Sequence, residues 1–185
     1  IGINALAREA GVDKVLIYRY FTNLEGLLKA LAEKTDFWPS NEDIIGMPLD
    51  EARKLPPLDY SKRIFKGYLR ELRKRPVTLE VLRWELVANN ELTRTLADHR
   101  EAQGAQFMSL LPMERFAQHG FDGPAFGAIV QAGIQYLLLR SKGVDIYSGV
   151  NLNSDQGIAQ LERAIDAMLE AAFSRIEEAG EIPKT

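Results

Sequence analysis

Apolar residues recur at helical spacing along almost the whole chain. Ile3, Leu6, Ala7 and Ala10 share one face, and Gly11 follows where a left-handed C-cap would end the segment. Val12 and Asp13 open a second helix, with Asp13 as its N-cap and Val15, Ile17, Tyr18 and Phe21 following. A third helix is predicted to start at Thr22 or Asn23, because "TNLE" has the capping-box pattern with Glu25 able to reach back. It is expected to run to near Asp36 on a stripe of Leu24, Leu27, Leu28 and Leu31. Over residues 37–57 the pattern breaks at Pro39, Gly46, Pro48, Pro56 and Pro57, which predicts a linker holding one short helix near residues 49–55.

Helical spacing resumes over residues 59–75 (Ile64, Phe65, Tyr68, Leu69, Leu72) and stops at Pro76, a residue suited to the first turn of the next helix. That helix carries Leu79, Val81, Leu82, Trp84, Leu86 and Val87. Further helices are predicted near residues 91–111, with a broken extension through "PMERFAQHG", and near residues 124–142. Residues 143–154 read as a polar, glycine-containing loop. The last helix, near residues 155–179, repeats Ile158, Leu161, Ile165, Met168, Leu169, Ala172, Phe173 and Ile176. No strand-like alternation persists. The expected fold class is all-α, with a helix-turn-helix unit over residues 1–38 and a larger helical domain over residues 39–185.

Composition narrows the possibilities. A chain of 185 residues, 46% hydrophobic and 26% charged, can bury one sizeable core or two small ones. With no cysteine there is no disulfide framework and no thiolate metal site, which fits a reducing, cytoplasmic setting. The longest uncharged apolar run, residues 123–139, contains two glutamines and is too short and polar for a membrane span. The chain begins "IGINALAREAG", already the start of a helix rather than a signal peptide, so residues are expected to be missing upstream. A net charge of −3 requires any anionic partner to be met by a local patch.

Three aromatics within four positions, Tyr18, Tyr20 and Phe21, then acquire a meaning. In a helix-turn-helix the second helix enters the DNA major groove. Ile17 and Phe21 pack inward, while Lys14, Tyr18 and Arg19 face solvent. A tyrosine there offers its hydroxyl to a phosphate and its ring to a sugar or a thymine methyl.

The stretch "LAREAGVDKVLIYRYFTNLEGLLKAL", residues 6–31, resembles the DNA-binding segment of the tetracycline-repressor (TetR) family of bacterial transcription regulators. Leu6, Ala7, Ala10, Gly11, Val12, Ile17, Tyr18, Tyr20, Phe21, Asn23, Glu25 and Leu27 fit the family pattern in order. The resemblance implies a further helix upstream of Ile1. It also implies phosphate or sugar contact by Tyr18 and Tyr20, groove contact by Lys14 and Arg19, and contact of Leu16 with a thymine methyl. Asp13, Val15, Leu16 and Leu24 depart from the family's polar or small residues, and through Ser40 five basic residues meet five acidic ones. That is a weak balance for a surface that must neutralise phosphates.

The resemblance further implies a second domain that binds a small effector and forms a homodimer through the last two long helices. Small Ala128, Ala132 and Gly133 would allow close helix approach there. A two-fold dimer would set two recognition helices about 34 Å apart on palindromic double-stranded DNA. Effector contacts are expected from Tyr68, Trp84, Glu85, Phe107, Met108, Gln135 and Tyr136, an apolar set with polar handles. The basic run "KRIFKGYLRELRKRP" interleaves with an apolar stripe and reads as a solvated face. His99 and His119 read as surface or helix-end residues, and no catalytic motif occurs. The expectation is a ligand-responsive, DNA-binding repressor without metal, cofactor or enzymatic activity. The alternative is an all-helical small-molecule-binding dimer that has lost DNA binding.

Overall fold

A computed structural model describes residues 3–23, 26, 27, 30, 38–87, 91–111, 113–118 and 120–181. The opening unit is α1 (Ile3–Glu9) and α2 (Lys14–Phe21), which pack on each other. Of the third predicted helix, Gly26, Leu27 and Ala30 are helical, and Asn23 caps it by accepting the Gly26 amide at 2.8 Å. Leu24, Glu25, Leu28, Leu31 and the expected domain boundary lie outside or against the edge of the described residues.

The segment read as a linker forms α3 (Asn41–Ile45) and α4 (Leu49–Ala52). Ser40 caps α3 through a reciprocal capping box with Asp43, and Gly46 closes it at φ 73°. Then come α5 (Pro57–Arg73), α6 (Pro76–Glu85), α7 (Glu91–Met108), α8 (Met113–Gln118) and α9 (Gly123–Arg140). Pro57 and Pro76 each occupy a first turn, where the missing amide hydrogen costs nothing. The loop predicted before the last helix is a minimal antiparallel hairpin, β1 (Ile146–Tyr147) with β2 (Val150–Asn151). Ser148 and Gly149 both take positive φ, as a two-residue hairpin turn demands. The last element is α10 (Asp155–Glu181).

Helix α5 is the hub. Its Tyr60, Ile64, Tyr68, Leu69 and Leu72 are buried among α3, α6, α9 and α10. Its opposite edge runs antiparallel to α10 and forms a ladder of ion pairs: Lys62 with Glu170 at 2.5 Å, Lys66 with Asp166 at 2.9 Å, Arg70 with Glu162 at 2.5 Å and Arg73 with Asp155 at 2.8 Å. The regular four-residue step of the first three places successive cations one helical turn apart. Much of the basic run is therefore an inter-helix seam. At Gly67 the backbone of α3 comes so close that an added Cβ would lie 1.6 Å from the Ile44 carbonyl oxygen. That approach seats Ile44 and Ile45, both 2% exposed, in the core.

Candidate nucleic-acid interface and effector cleft

The turn between α1 and α2 is built from three short-range devices. Gly11 takes φ 65°, the Val12 amide donates to the Ala7 carbonyl at 3.0 Å, and the Asp13 carboxylate accepts the Val15 amide at 2.9 Å. Ala7 and Ile17 are buried, with Ile3, Leu6 and Phe21 half-buried beside them. With about 100° between successive residues, Arg19 lies opposite the Ile17–Phe21 edge, flanked by Tyr18 on one side and Tyr20 on the other. Lys14, Leu16, Tyr18, Arg19 and Tyr20 are all exposed. Tyr20 is 71% exposed, with its ring tilted 54° to that of Phe21 and the ring centres 6.4 Å apart. The face presents two cations and two phenols, the groups that bind phosphate and sugar. Val15 and Leu16 add apolar surface to it.

In the helical domain, a cleft of about 410 Å³ opens between α6, α7 and α9. Leu82, Leu86, Ala97 and Leu139 give it an apolar wall, and Glu85, Thr93, Arg94, Arg100 and Gln135 supply polar groups. Both guanidinium nitrogens of Arg100 donate to Glu85, Nη1 at 2.9 Å to Oε1 and Nη2 to Oε2, with both side chains largely buried. Such a forked, charge-assisted pair is directional and holds both partners in place. Gln135 Nε2 donates to the Tyr68 hydroxyl at 2.6 Å, and Gln131 Nε2 does so at 3.4 Å. Burial pushes the Tyr68 phenol above its ordinary pKa, against the lowering effect of the two amides, so it stays a neutral hydroxyl. A larger groove of about 680 Å³ lies beside α3 and α5, but its Lys62, Lys66 and Arg70 are engaged in the ladder with α10.

The residues expected to share an effector cavity are only partly brought together. Glu85 and Gln135 line the cleft, and Tyr68 reaches it through Gln135. Trp84, Phe107, Met108 and Tyr136 do not line it. Phe107 is buried in the core, where its carbonyl accepts the Tyr60 hydroxyl at 3.5 Å. Tyr136 is half exposed and packs edge-on against Tyr147 of the hairpin. Arg100 was not legible as a site residue, because its partner lies fifteen residues away on another helix. The side chain of His99, and all of His119, lie outside the described residues. Among the described residues no cluster of acidic or imidazole groups could hold a metal ion, and no helix is long and apolar enough to cross a membrane.

No curated protein and no solved structure matches the chain. A family model described as "Bacterial regulatory proteins, tetR family" matches residues 1–31, the stretch that contains α1, the Gly11 turn and α2. Over that segment the chain is similar to the tetR family of bacterial regulatory proteins, with its helix-turn-helix ahead of a larger helical domain.

Proposed function

We propose that the protein is a ligand-responsive repressor that binds a palindromic operator as a homodimer. The observation that carries this reading is the exposed face of α2, where Lys14, Tyr18, Arg19 and Tyr20 stand clear of a buried Ile17. The dimer is supported by a stripe on α9, where Ala125, Ile129, Ala132, Gly133 and Tyr136 are exposed, Ile129 by 74%. On α10, Ala164, Met168 and Ala171 are exposed at helical spacing. Small and apolar residues in two adjacent stripes suit a four-helix interface between two-fold copies. The effector's place is the cleft walled by Glu85, Arg100 and Gln135, and its binding would shift the population of head spacings away from the operator. The activity is binding rather than turnover, and the DNA that such a regulator reads lies in the bacterial cytoplasm.

Selection from random duplex DNA at low and moderate salt tests the reading. Enrichment of a palindrome, with affinity falling steeply as salt rises, is the expected result. The exposed apolar Val15 and Leu16 favour a second reading, a ligand-binding dimer that has ceased to read DNA. Failure to enrich any sequence at low salt would select it.

A further inference from the structure

The charges around the cleft are unbalanced, and one of its cations has hydrogen-bond donors to spare. A guanidinium carries five N–H groups. Arg100 gives two of them to Glu85 and lays its charge 5.5 Å from the centre of the Trp38 ring, and among the described residues no acceptor takes the other three. Its side chain is only 17% exposed, so those donors are poorly hydrated, yet the residue lines the cleft. Arg94, an exposed residue of the same lining, adds a second positive charge. Against these two cations the described lining holds one carboxylate, Glu85, already matched to Arg100. The rest of the wall is largely aliphatic, and its Leu86 is 74% exposed, a large apolar surface left facing water.

From this lining we propose that the cleft takes a small monocarboxylic acid with an apolar body, its carboxylate on Arg100 and Arg94 and its body along Leu82, Leu86 and Leu139. The proposal rests on reading the cleft as the effector site and names the chemistry of that effector. A carboxylate offers two oxygens in one plane, which match the unused N–H groups of a guanidinium as paired, charge-assisted bonds; an amide or a hydroxyl oxygen cannot form that pair. An ammonium ligand would meet two like charges. The aliphatic wall has no place for a second charged end, whereas an apolar body laid against it covers Leu86 from water. About 410 Å³ falls within the range of small-molecule sites. Glu85 has a part in this without touching the acid: by fixing the Arg100 guanidinium it sets the binding edge before the ligand arrives.

Calorimetric titration of the whole chain, without DNA, tests the proposal with octanoate and phenylacetate, the primary amide of each, and octylamine. At least one acid is expected to bind roughly tenfold or more tightly than its amide, the span of a hydrogen-bonded charge, and octylamine is expected not to bind. Arg94→Gln, a change on an exposed side chain, should weaken that acid several-fold and leave its amide unaffected, while Leu86→Ala should weaken both. Glu85→Gln combined with Arg100→Gln removes the pair together, stranding no buried charge, and should erase the preference for acid over amide. Thermal unfolding of each variant verifies that it is folded. Amides that bind as tightly as their acids, with Leu86→Ala weakening both, overturn the acid and leave the cleft as the effector site. Acid binding that neither Leu86→Ala nor the paired replacement weakens overturns the reading of the cleft as well. Absence of binding by both acids overturns the proposal.

Discussion

Gly67→Ala decides by its sign whether α3 is docked as closely as described. In a helix interior, alanine is favoured over glycine by roughly 0.8–1.0 kcal/mol, so an unobstructed site would gain stability. Here the new Cβ would lie 1.6 Å from the Ile44 carbonyl oxygen and 2.7 Å from its carbon, both backbone atoms that cannot swing aside. Carbon–oxygen contacts across packed backbones settle near 3.3–3.6 Å, so α3 must retreat by about 1.7–2.0 Å. A gap of even ~0.5–1 Å forfeits a quarter to a half of the contact attraction of the groups it separates. Ile44 and Ile45 together represent roughly 3–6 kcal/mol of burial, of which about half is at stake. After subtracting the propensity gain, the expected loss is about 1–2 kcal/mol. Urea unfolding reads it as a midpoint lower by roughly 0.5–1 M, with the slope unchanged. Gly104→Ala on α7 is the matched control: nothing lies within 4 Å of its added Cβ, so it should stabilise by up to about 1 kcal/mol. A Gly67→Ala protein as stable as the parent, or more so, would refute the close approach of α3 to α5.

Ser40→Ala removes the hydroxyl half of the α3 capping box, leaving the residue-40 amide donating to Asp43, and is expected to cost about 1 kcal/mol in thermal or urea unfolding. Hydrogen bonds from Ser40, its backbone amide above all, hold the Asp43 carboxyl below its usual value, and Arg75 and Lys74 add to the effect. That contribution is full above the unfolded carboxylate pKa of about 4 and disappears as pH falls through the lower folded value. An acid titration of stability should therefore lose only the hydroxyl's share of this component in the Ser40→Ala variant, because the residue-40 amide still donates to Asp43. Burial pushes the Tyr60 phenol up to about 12, so its neutral form stabilises the fold fully below the unfolded value of 10.0. That stabilisation is lost as pH rises from 10.0 to about 12, and tyrosinate absorbance should show a late-ionising component that Tyr60→Phe diminishes, the buried Tyr68 supplying the remainder. Lys14→Ala should weaken operator binding across sequences and flatten the salt slope by about one. An unchanged slope would remove Lys14 from the phosphate contacts.

Much of the fold was legible because single residues carry unambiguous conformational demands. Gly11 marks the turn that only a positive φ completes, Asp13 the cap, and Pro76 the first turn of α6, whereas Pro57 reads as linker and instead opens α5. The spacing of Ile64, Tyr68, Leu69 and Leu72 gave α5 most of its inward face directly, without Tyr60. Helix α3 was hidden for the opposite reason: five residues make little more than one turn, and Pro39 and Gly46 on either side have the composition of a linker. The capping box at "SNED" was the local signal available, and Asp in place of the usual Glu or Gln disguised it. The hairpin of Ile146–Tyr147 with Val150–Asn151 is too short to show alternation, leaving Ser148-Gly149 as its one mark.

The exposed face of α2 could be derived because helical geometry and a local motif suffice to place it. The cleft could not, because its contacts join residues remote in sequence: Gln135 with Tyr68 across 67 positions and Glu85 with Arg100 across 15. Aromatic residues at helical spacing were natural candidates for a cavity wall, yet Phe107 fills the core and Tyr136 lies half exposed against the hairpin. Charged side chains buried by tertiary packing took the role instead. A buried ion pair costs desolvation of both partners, so it contributes stability only when geometry and further contacts repay that cost. Arg100 has both, with Glu85 on one side and the Trp38 ring on the other. Removing its carboxylate partner would therefore act at two places, loosening the cleft wall and freeing the Trp38 ring. That double engagement is a physical reason for a regulator to keep a buried charge pair where an apolar contact would pack more cheaply.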